Sequence, residues 1–161
     1  IRSCYIYNIH NTIDKLLFQD FILSTQLIRF GVSLPEDLIK KFDDLIKRKE
    51  YPNRSEAIRD LIRKTLIEEE IAGDQIVIGV LHLLFDHHKR DLSEKLTDIQ
   101  HDHHDVIISS THVHLDHDNC LEVIMLKGKA SIIRGLSDRM IATKGVKHGQ
   151  LYMTSQGSGL D

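Results

Sequence analysis

Residues 111–120 read THVHLDHDNC, and this stretch decides the organisation of the C-terminal half of the chain. His112 and His114 alternate with apolar residues, so both imidazoles lie on one face if the segment is a β-strand. The polar run 116–119 is typical of a turn that returns the chain as a second strand beginning at Cys120. The stretch therefore predicts a β-hairpin with donor side chains on both strands.

Strand parity predicts which side chains of this hairpin meet. If Cys120 faces the same side as the histidines, His114 lies opposite Cys120 and His112 lies opposite Glu122. Directly opposed Cβ atoms are about 5 Å apart, which lets two nitrogens and one sulfur converge on one ion. Such donors favour Zn(II), Ni(II), Cu(II) or Co(II), with zinc the default for a tetrahedral site. Glu122 is predicted to orient the His112 imidazole.

Three donors leave the coordination shell incomplete, so a fourth ligand has to come from elsewhere. Residues 100–104 read QHDHH and end a predicted helix, which makes this tract the nearest supplier of another imidazole. The spacing does not decide which chain supplies it, and His-rich tracts also bind metals loosely. His82 and His148 are interpreted as lone structural or surface residues. Residues 87–90, HHKR, are interpreted as a solvated turn, with phosphate contact as the alternative.

Outward from the hairpin, residues 75–154 alternate between strand and helix patterns. We predict strands at 76–85, 106–115, 120–127 and 146–154, and helices at 90–101 and 130–143. The order βαββαβ is that of a ferredoxin-like sandwich, in which two helices cover one face of an antiparallel sheet. Apolar helix positions are assigned to its core: Leu92, Leu96, Ile99, Ile132, Ile133, Leu136 and Ile141. The other sheet face stays bare unless a second subunit covers it, which indicates oligomerisation.

Residues 28–34, IRFGVSL, alternate strictly between apolar and other side chains, which predicts a strand. Two amphipathic helices follow: Pro35 suits the start of the first, and Asn53 caps the second. No second strand lies nearby, so the strand needs the same segment of another copy to satisfy its backbone. A two-stranded ribbon of this kind fits the DNA major groove and would present Arg29, Gly31 and Ser33 to base edges. The alternative is an α+β domain of another kind.

Composition and charge narrow the possible functions. The chain has 161 residues, a net charge of −3, and cysteines only at Cys4 and Cys120. Cysteine usage favours a reducing, cytoplasmic compartment, and no apolar run approaches the roughly 18 residues of a membrane span. The negative charge means that nucleic-acid binding has to come from a local patch. No nucleophile is paired with a general acid or base, so an enzyme is not expected.

From residue 27 to about residue 154 the sequence resembles the nickel-responsive transcriptional regulator family NikR. The resemblance rests on NRSEAIRD at 53–60, on HVH at 112–114 with CLEV at 120–123, and on GVKHG at 145–149. It implies an α+β protein with a ribbon-helix-helix domain and a ferredoxin-like, ACT-type metal-binding domain. It also implies a homotetramer, built as a dimer of dimers, that binds a two-part, palindromic double-stranded operator.

The resemblance further implies roles for individual residues. A square-planar Ni(II) site would consist of His112, His114 and Cys120 of one chain and His101 of a neighbouring chain. Base reading would fall on Arg29, Gly31 and Ser33, where Gly31 replaces a side chain that often bears a hydroxyl. Phosphate contacts would come from Lys89 and Arg90. Independently of the resemblance, the backbone amides at the helix start that follows Asn53 suit a phosphate. An additional cation between the domains would map to Glu56 and Asp60.

These expectations divide the chain into five parts. Residues 1–26 are an extension not needed for function, 27–70 the DNA-binding domain, and 71–74 a linker preceded by the triple acid 68–70. Residues 75–154 form the metal-binding and tetramerisation domain, and 155–161 a tail. The expected function is a nickel-sensing repressor. The rivals are a zinc or nickel buffer or structural oligomer, and a regulator that senses a small molecule through its ACT-type domain.

Overall fold

The structure is a computed structural model that describes residues 27–86 and 88–160. Among the described residues, 27–34 belong to one structural unit and 35–160 form the second. The elements are α1 (Glu36–Arg48), α2 (Arg54–Ala72), β1 (Ile76–Phe85), α3 (Arg90–Asp102), β2 (Ile107–His114), β3 (Cys120–Lys129), α4 (Ala130–Ile141) and β4 (Val146–Thr154). The predicted extension 1–26 lies outside the described residues.

Residues 27–35 form neither a helix nor a strand in the single chain. The strand predicted at 28–34 is therefore not formed here. Its donors and acceptors need a neighbouring strand, and the described part of this chain supplies none. The apolar side chains of the segment are consequently exposed, with Ile28 at 82% and Phe30 at 72% of full exposure.

The two helices that follow begin as predicted. α1 starts directly after Pro35 with Glu36 and Asp37 in its first turn, where acidic side chains suit the helix dipole. Asn53 caps α2, and its Oδ1 accepts a hydrogen bond from the Glu56 backbone N–H at 2.9 Å.

The triple acid 68–70 lies within α2, which also takes in the first two residues of the segment 71–74 predicted as a linker. α2 continues through the triple acid to Ala72, and the Gly73 N–H donates to the Glu69 carbonyl at 2.8 Å. Glutamate is a good helix former, so an acidic run does not end a helix by itself.

The four strands form one sheet in the order β2-β3-β1-β4, and every neighbouring pair is antiparallel. This is the order of a ferredoxin-like sandwich, which confirms the predicted fold. The core lies between α3, α4 and one sheet face and includes Leu81, Phe85, Leu96, Ile124, Ile133 and Met140.

Several details of the predicted C-terminal half differ from the structure. β2 is one residue shorter at each end than predicted, and β3 extends two residues further, to Lys129. α4 ends at Ile141, before the predicted end at 143. Ile132, assigned to the core, is 47% exposed. Ile132 lies on the outer face of α4, whereas its neighbour Ile133 points inward. Successive helical residues point in different directions around the helix axis.

The sheet face opposite the helices carries exposed apolar side chains. Val113, Met125 and Tyr152 on β2, β3 and β4 are 42%, 43% and 71% exposed. His82 of β1 and His148 of β4 were interpreted as lone residues, but their ring centroids are only 5.6 Å apart. No described helix is both long and apolar enough to cross a membrane.

Candidate metal centre

The hairpin of β2 and β3 has the predicted register. His114 pairs with Cys120, and His112 pairs with Glu122. The connecting loop is held by its own polar groups, since both Asp116 carboxylate oxygens accept from the Asn119 amide at 2.8–2.9 Å. The Leu115 N–H also donates to the Asn119 carbonyl at 2.9 Å. The short polar run therefore sets the parity that places the donors on one face.

Three donor side chains converge on this face. The ligand atoms of His112, His114 and Cys120 lie within 4.8 Å of one another. His114 Nδ1 is 3.2 Å from Cys120 Sγ, and the two imidazole centroids are 5.2 Å apart. Two imidazoles and one thiol at these separations fit a borderline-soft divalent ion. Cys120 is buried while both histidines are exposed, so the open side of the site faces away from the core.

Phe85 supports the site from β1 and was not singled out by the sequence. It pairs with Cys120 in the sheet register, and its ring meets the His112 imidazole edge-on with centroids 5.6 Å apart. Its side chain is 1% exposed. Phe85 therefore joins the core to the metal-binding face, because the same ring packs among the buried residues and against a candidate ligand.

Glu122 is buried and lies opposite His112, as predicted. The hydrogen bond found for its carboxylate comes from Gln100, whose Nε2 donates to Oε1 at 2.9 Å. This bond ties the C-terminal turn of α3 to the hairpin. Sequence reasoning missed Gln100, although its place directly before His101 was a signal.

His101 does not complete the donor group of its own chain. It is exposed, and among the described residues it is not part of the group gathered around Cys120. It lines a cavity of about 330 Å³ together with Thr97, Gln100, His104, Ile107, Ser110 and Glu122. Within one chain, the structure thus brings together three of the four predicted ligands.

The surroundings of Cys120 keep its thiol protonated. Burial raises the pKa of the Cys120 thiol, and the carboxylates of Asp116, Asp86 and Glu122 raise it further. A thiol that holds its proton at neutral pH has to lose it when it becomes a metal ligand, because the thiolate is the coordinating form.

We therefore expect metal binding at this site to release a proton. The folded-state pKa of the thiol lies above its ordinary value, so apparent metal affinity should rise as pH increases towards that pKa. The measurement is calorimetric titration with Ni(II) in buffers that differ in protonation enthalpy, repeated with Cys120→Ala. Wild-type proton release no larger than that of the variant would contradict the expectation.

The residues predicted to contact DNA occupy different environments. Arg29, Gly31 and Ser33 are exposed, and Asn53 uses its side chain as a helix cap. Lys89 is exposed directly before α3. Arg90 is the first residue of α3, and its side chain, like residue His87, lies outside what the structure describes.

The residues predicted to share an inter-domain cation have protein partners. Glu56 accepts from Arg59 Nη1 at 2.5 Å. Asp60 accepts from the Tyr51 hydroxyl. Each of the two carboxylates therefore already has a side-chain hydrogen-bond partner in the described part of the chain.

Comparison with known proteins agrees with both halves of the chain. Residues 28–69 match the family model described as "Ribbon-helix-helix protein, copG family". Residues 78–154 match the model described as "NikR C terminal nickel binding domain".

Two relatives match most of the chain. A protein of Desulfovibrio desulfuricans named as a nickel-responsive regulator is 58% identical over 134 residues, which is 83% of this chain and 97% of that protein. One of Geobacter sulfurreducens with the same name is 54% identical over 136 residues, or 84% of this chain and 98% of that one. With a ribbon-helix-helix domain, a metal-binding domain and relatives of this identity, the chain belongs to the nickel-responsive regulator family of transcription factors and not to a family of enzymes.

Proposed function

We propose that this protein is a nickel-sensing repressor whose binding to a DNA operator is promoted by Ni(II) at His101, His112, His114 and Cys120. The observation that carries the proposal is the convergence of two imidazoles and a buried thiol within 4.8 Å, in a chain that also carries a ribbon-helix-helix domain. A thiolate site of this kind requires a reducing compartment, and we place the protein in the cytoplasm.

We assign the fourth ligand to His101 of a neighbouring subunit. The support is that His101 is exposed and stands apart from the donor group of its own chain. A homotetramer would bring the two together, and the bare apolar sheet face supports such an assembly. Exposed side chains such as Met125 and Tyr152 would be removed from water by a second subunit.

The DNA-binding domain is proposed to work as a twofold dimer. Of the described residues in α1 and α2, only Ala57 is buried. α2 presents an apolar groove of about 290 Å³ lined by Ile58, Leu61, Ile62, Thr65 and Leu66. A second copy would cover these side chains and pair the two 28–34 segments as an antiparallel ribbon. Arg29, Gly31 and Ser33 would then face base edges, with Gly31 contributing no side chain to readout.

Phosphate contacts are proposed at the starts of two helices. Since the Asn53 side chain already accepts from Glu56 N–H, Asn53 would contribute through the amides at the start of α2. Lys89 and Arg90 would contact phosphates from the start of α3. A cation bound by Glu56 and Asp60 would have to displace their contacts with Arg59 and Tyr51.

α3 offers the route by which metal and DNA influence each other. The helix runs from Arg90 to Asp102, so one end carries the phosphate contacts and the other carries His101. The Gln100–Glu122 hydrogen bond already joins its last turn to the hairpin. When His101 is held as a ligand, the whole helix is held, and the position of Lys89 becomes defined. Bound metal must then raise the affinity for DNA by the same factor by which bound DNA raises the affinity for metal.

The test is operator affinity with and without Ni(II) at fixed salt. Duplexes would be selected from a random library by the Ni(II)-loaded protein and then titrated by fluorescence anisotropy. We expect tight binding only with Ni(II), and a square-planar thiolate absorption spectrum for the loaded protein. Equal affinity in the two states would exclude nickel sensing. Footprints without a protected sequence would favour a metal buffer or structural oligomer instead.

Two substitutions separate base reading from phosphate contact. Arg29→Ala should reduce discrimination between the operator and a mismatched site by about 1–3 kcal/mol. Lys89→Ala should weaken binding to both sequences alike and reduce the slope of log K against log[salt] by about 1. Each variant serves as the control for the other in anisotropy titrations over a range of salt concentrations. A Lys89→Ala variant that lost sequence discrimination would contradict this division.

A further inference from the structure

The segment that follows β4 returns to the DNA-binding half of the chain. Arg63 of α2 donates from Nε to the Leu160 carbonyl oxygen at 2.5 Å, although the two residues are 97 positions apart in sequence. Arg63 lies in the range 28–69 that matches the ribbon-helix-helix model, and Leu160 follows the nickel-binding match at 78–154. We call residues 155–160 the C-terminal strap, because they connect the metal-binding domain to α2 by a route other than the turn before β1.

The first residues of the strap are fixed to the sheet. Ser155 is 7% exposed, and its Oγ accepts a hydrogen bond from the Gly157 N–H at 3.0 Å. Gln156 Nε2 donates to the carbonyl of Ile76, the first residue of β1, at 3.3 Å. The strap is therefore held by the sheet at one end and by α2 at the other.

Two glycines set the path between these ends. Gly157 and Gly159 have φ angles of 89° and 78°, in the left-handed region that glycine adopts without steric cost. A Cβ at either position would meet nothing within 4 Å, so the backbone angle and not the available space favours glycine. A segment with the composition of a flexible tail thus takes a defined path back to α2.

Arg63 contacts the strap far from the point where α2 joins the sheet. Just after the helix, Asp74 Oδ1 accepts a hydrogen bond from the Ser131 N–H at 2.7 Å, which fixes this junction to the start of α4. Arg63 precedes the helix end at Ala72 by nine residues, or about 14 Å at the rise of an α-helix. A bond at that distance from the junction resists tilting of α2 more effectively than one at the junction itself.

The strap does not pack closely along α2. Together with Gln75, the two segments line a groove of about 460 Å³, formed by Leu66, Glu69 and Glu70 of the helix and by Ser158, Gly159 and Leu160 of the strap. The connection between strap and helix therefore depends on the Arg63 hydrogen bond more than on apolar packing, so one substitution can release it.

We propose that Arg63 and the C-terminal strap position α2 for operator binding. The effect on DNA rests on the proposed function, in which the ribbon-helix-helix domain and Lys89 of the metal-binding domain contact one duplex. A helix that can tilt loses conformational freedom when both domains are held on DNA, and a strap that restricts the tilt beforehand reduces this loss. Arg63 is thus a positioning residue and does not itself contact a phosphate.

The test compares Arg63→Met and a chain that stops after Ser155 with Lys64→Met as the matched control. Arg63→Met keeps an unbranched side chain and removes the donor, whereas Lys64→Met removes the neighbouring positive charge, whose side chain is 72% exposed. The Ni(II)-loaded Arg63→Met and shortened proteins should bind operator about two- to tenfold more weakly than wild type, with unchanged Ni(II) affinity. Lys64→Met should bind operator as wild type does, and an equal loss in both methionine variants would overturn the proposal in favour of a simple charge effect.

The shortened protein separates positioning from charge. It lacks Asp161, and loss of a negative charge by itself would strengthen binding to DNA. Positioning by the strap requires the opposite result, weaker binding. Gly159→Ala disfavours the observed φ angle without filling space, so it should weaken operator binding less than removal of the strap does.

Pulsed electron paramagnetic resonance measures the orientation of α2 without DNA. Spin labels on α2 and α4 would be attached to non-natural residues so that Cys120 stays free, and labelled subunits would be diluted with unlabelled ones. The distance distribution should be narrow in wild type and broader in Arg63→Met and in the shortened protein.

Unchanged distance distributions, or an operator affinity that is unchanged or raised in the shortened protein, would overturn the proposal. A wild-type operator affinity that ignores Ni(II) would instead refute the proposed function. The distance measurement would then still decide whether the strap holds α2.

Discussion

Replacing Cys120 with alanine is expected to abolish the nickel-dependent part of operator binding. The thiol is buried, and its sulfur lies 3.2 Å from His114 Nδ1. Its loss leaves imidazoles alone, which cannot supply the charged, soft donor that favours a planar Ni(II) site. When one ligand changes a protein's affinity for another, the change is typically roughly 5–150-fold. In Cys120→Ala the whole increase in operator affinity that Ni(II) produces should be lost.

The measurement compares operator affinity of wild-type and Cys120→Ala protein with and without Ni(II). Because removing a buried sulfur also loosens packing, Ile124→Val is the matched control, since it deletes one heavy atom from a buried side chain of the same strand. That change should cost about 0.5–1.5 kcal/mol of stability and leave the nickel response intact. A nickel response that survives in Cys120→Ala would place the sensor elsewhere.

Replacing Phe85 with alanine is expected to damage both the fold and the metal centre. The ring is 1% exposed and belongs to the core between the sheet and its helices. Its deletion should lower the free energy of unfolding of the metal-free protein by about 3–5 kcal/mol. It also removes the edge-on contact with His112, whose centroid is 5.6 Å away, so this imidazole should become less well oriented.

Chemical denaturation and Ni(II) titration of the same samples separate the two effects. Phe85→Leu is the control, because it retains most of the buried volume but lacks the aromatic edge. We expect Phe85→Leu to recover most of the lost stability while its Ni(II) affinity stays below that of the wild type. If Phe85→Leu binds Ni(II) as tightly as wild type, Phe85 has only a packing role.

Features that depend on a pattern of a few neighbouring residues, such as strand bounds, side-chain direction and hairpin register, were predictable from the sequence. The alternation of His112 and His114 with apolar neighbours placed both imidazoles on one face, and the polar run before Cys120 led to the observed register. The bounds of β1 and β4 agree with those predicted. In each case the information is local, because side-chain direction in a strand repeats every second residue.

Contacts between distant segments were not predictable in the same way. Gln100 and Glu122, Phe85 and His112, and Arg63 and Leu160 each come from different parts of the chain, and no spacing rule relates them. Packing of α3 on the sheet brings Gln100 to Glu122. The crossover that places β1 beside β3 brings Phe85 opposite Cys120.

The sequence by itself determined the fold class, the order of the elements from α1 to β4 and the three donors of the candidate metal centre, because periodicity and turn chemistry act over short stretches. Only the tertiary structure decided that His101 stands apart from those donors and that residues 155–160 return to α2. The segment 28–34 shows the same division. The alternation of apolar and other side chains can be seen in the sequence. A strand forms only where another backbone pairs with it through hydrogen bonds, and the described part of this chain supplies no such partner.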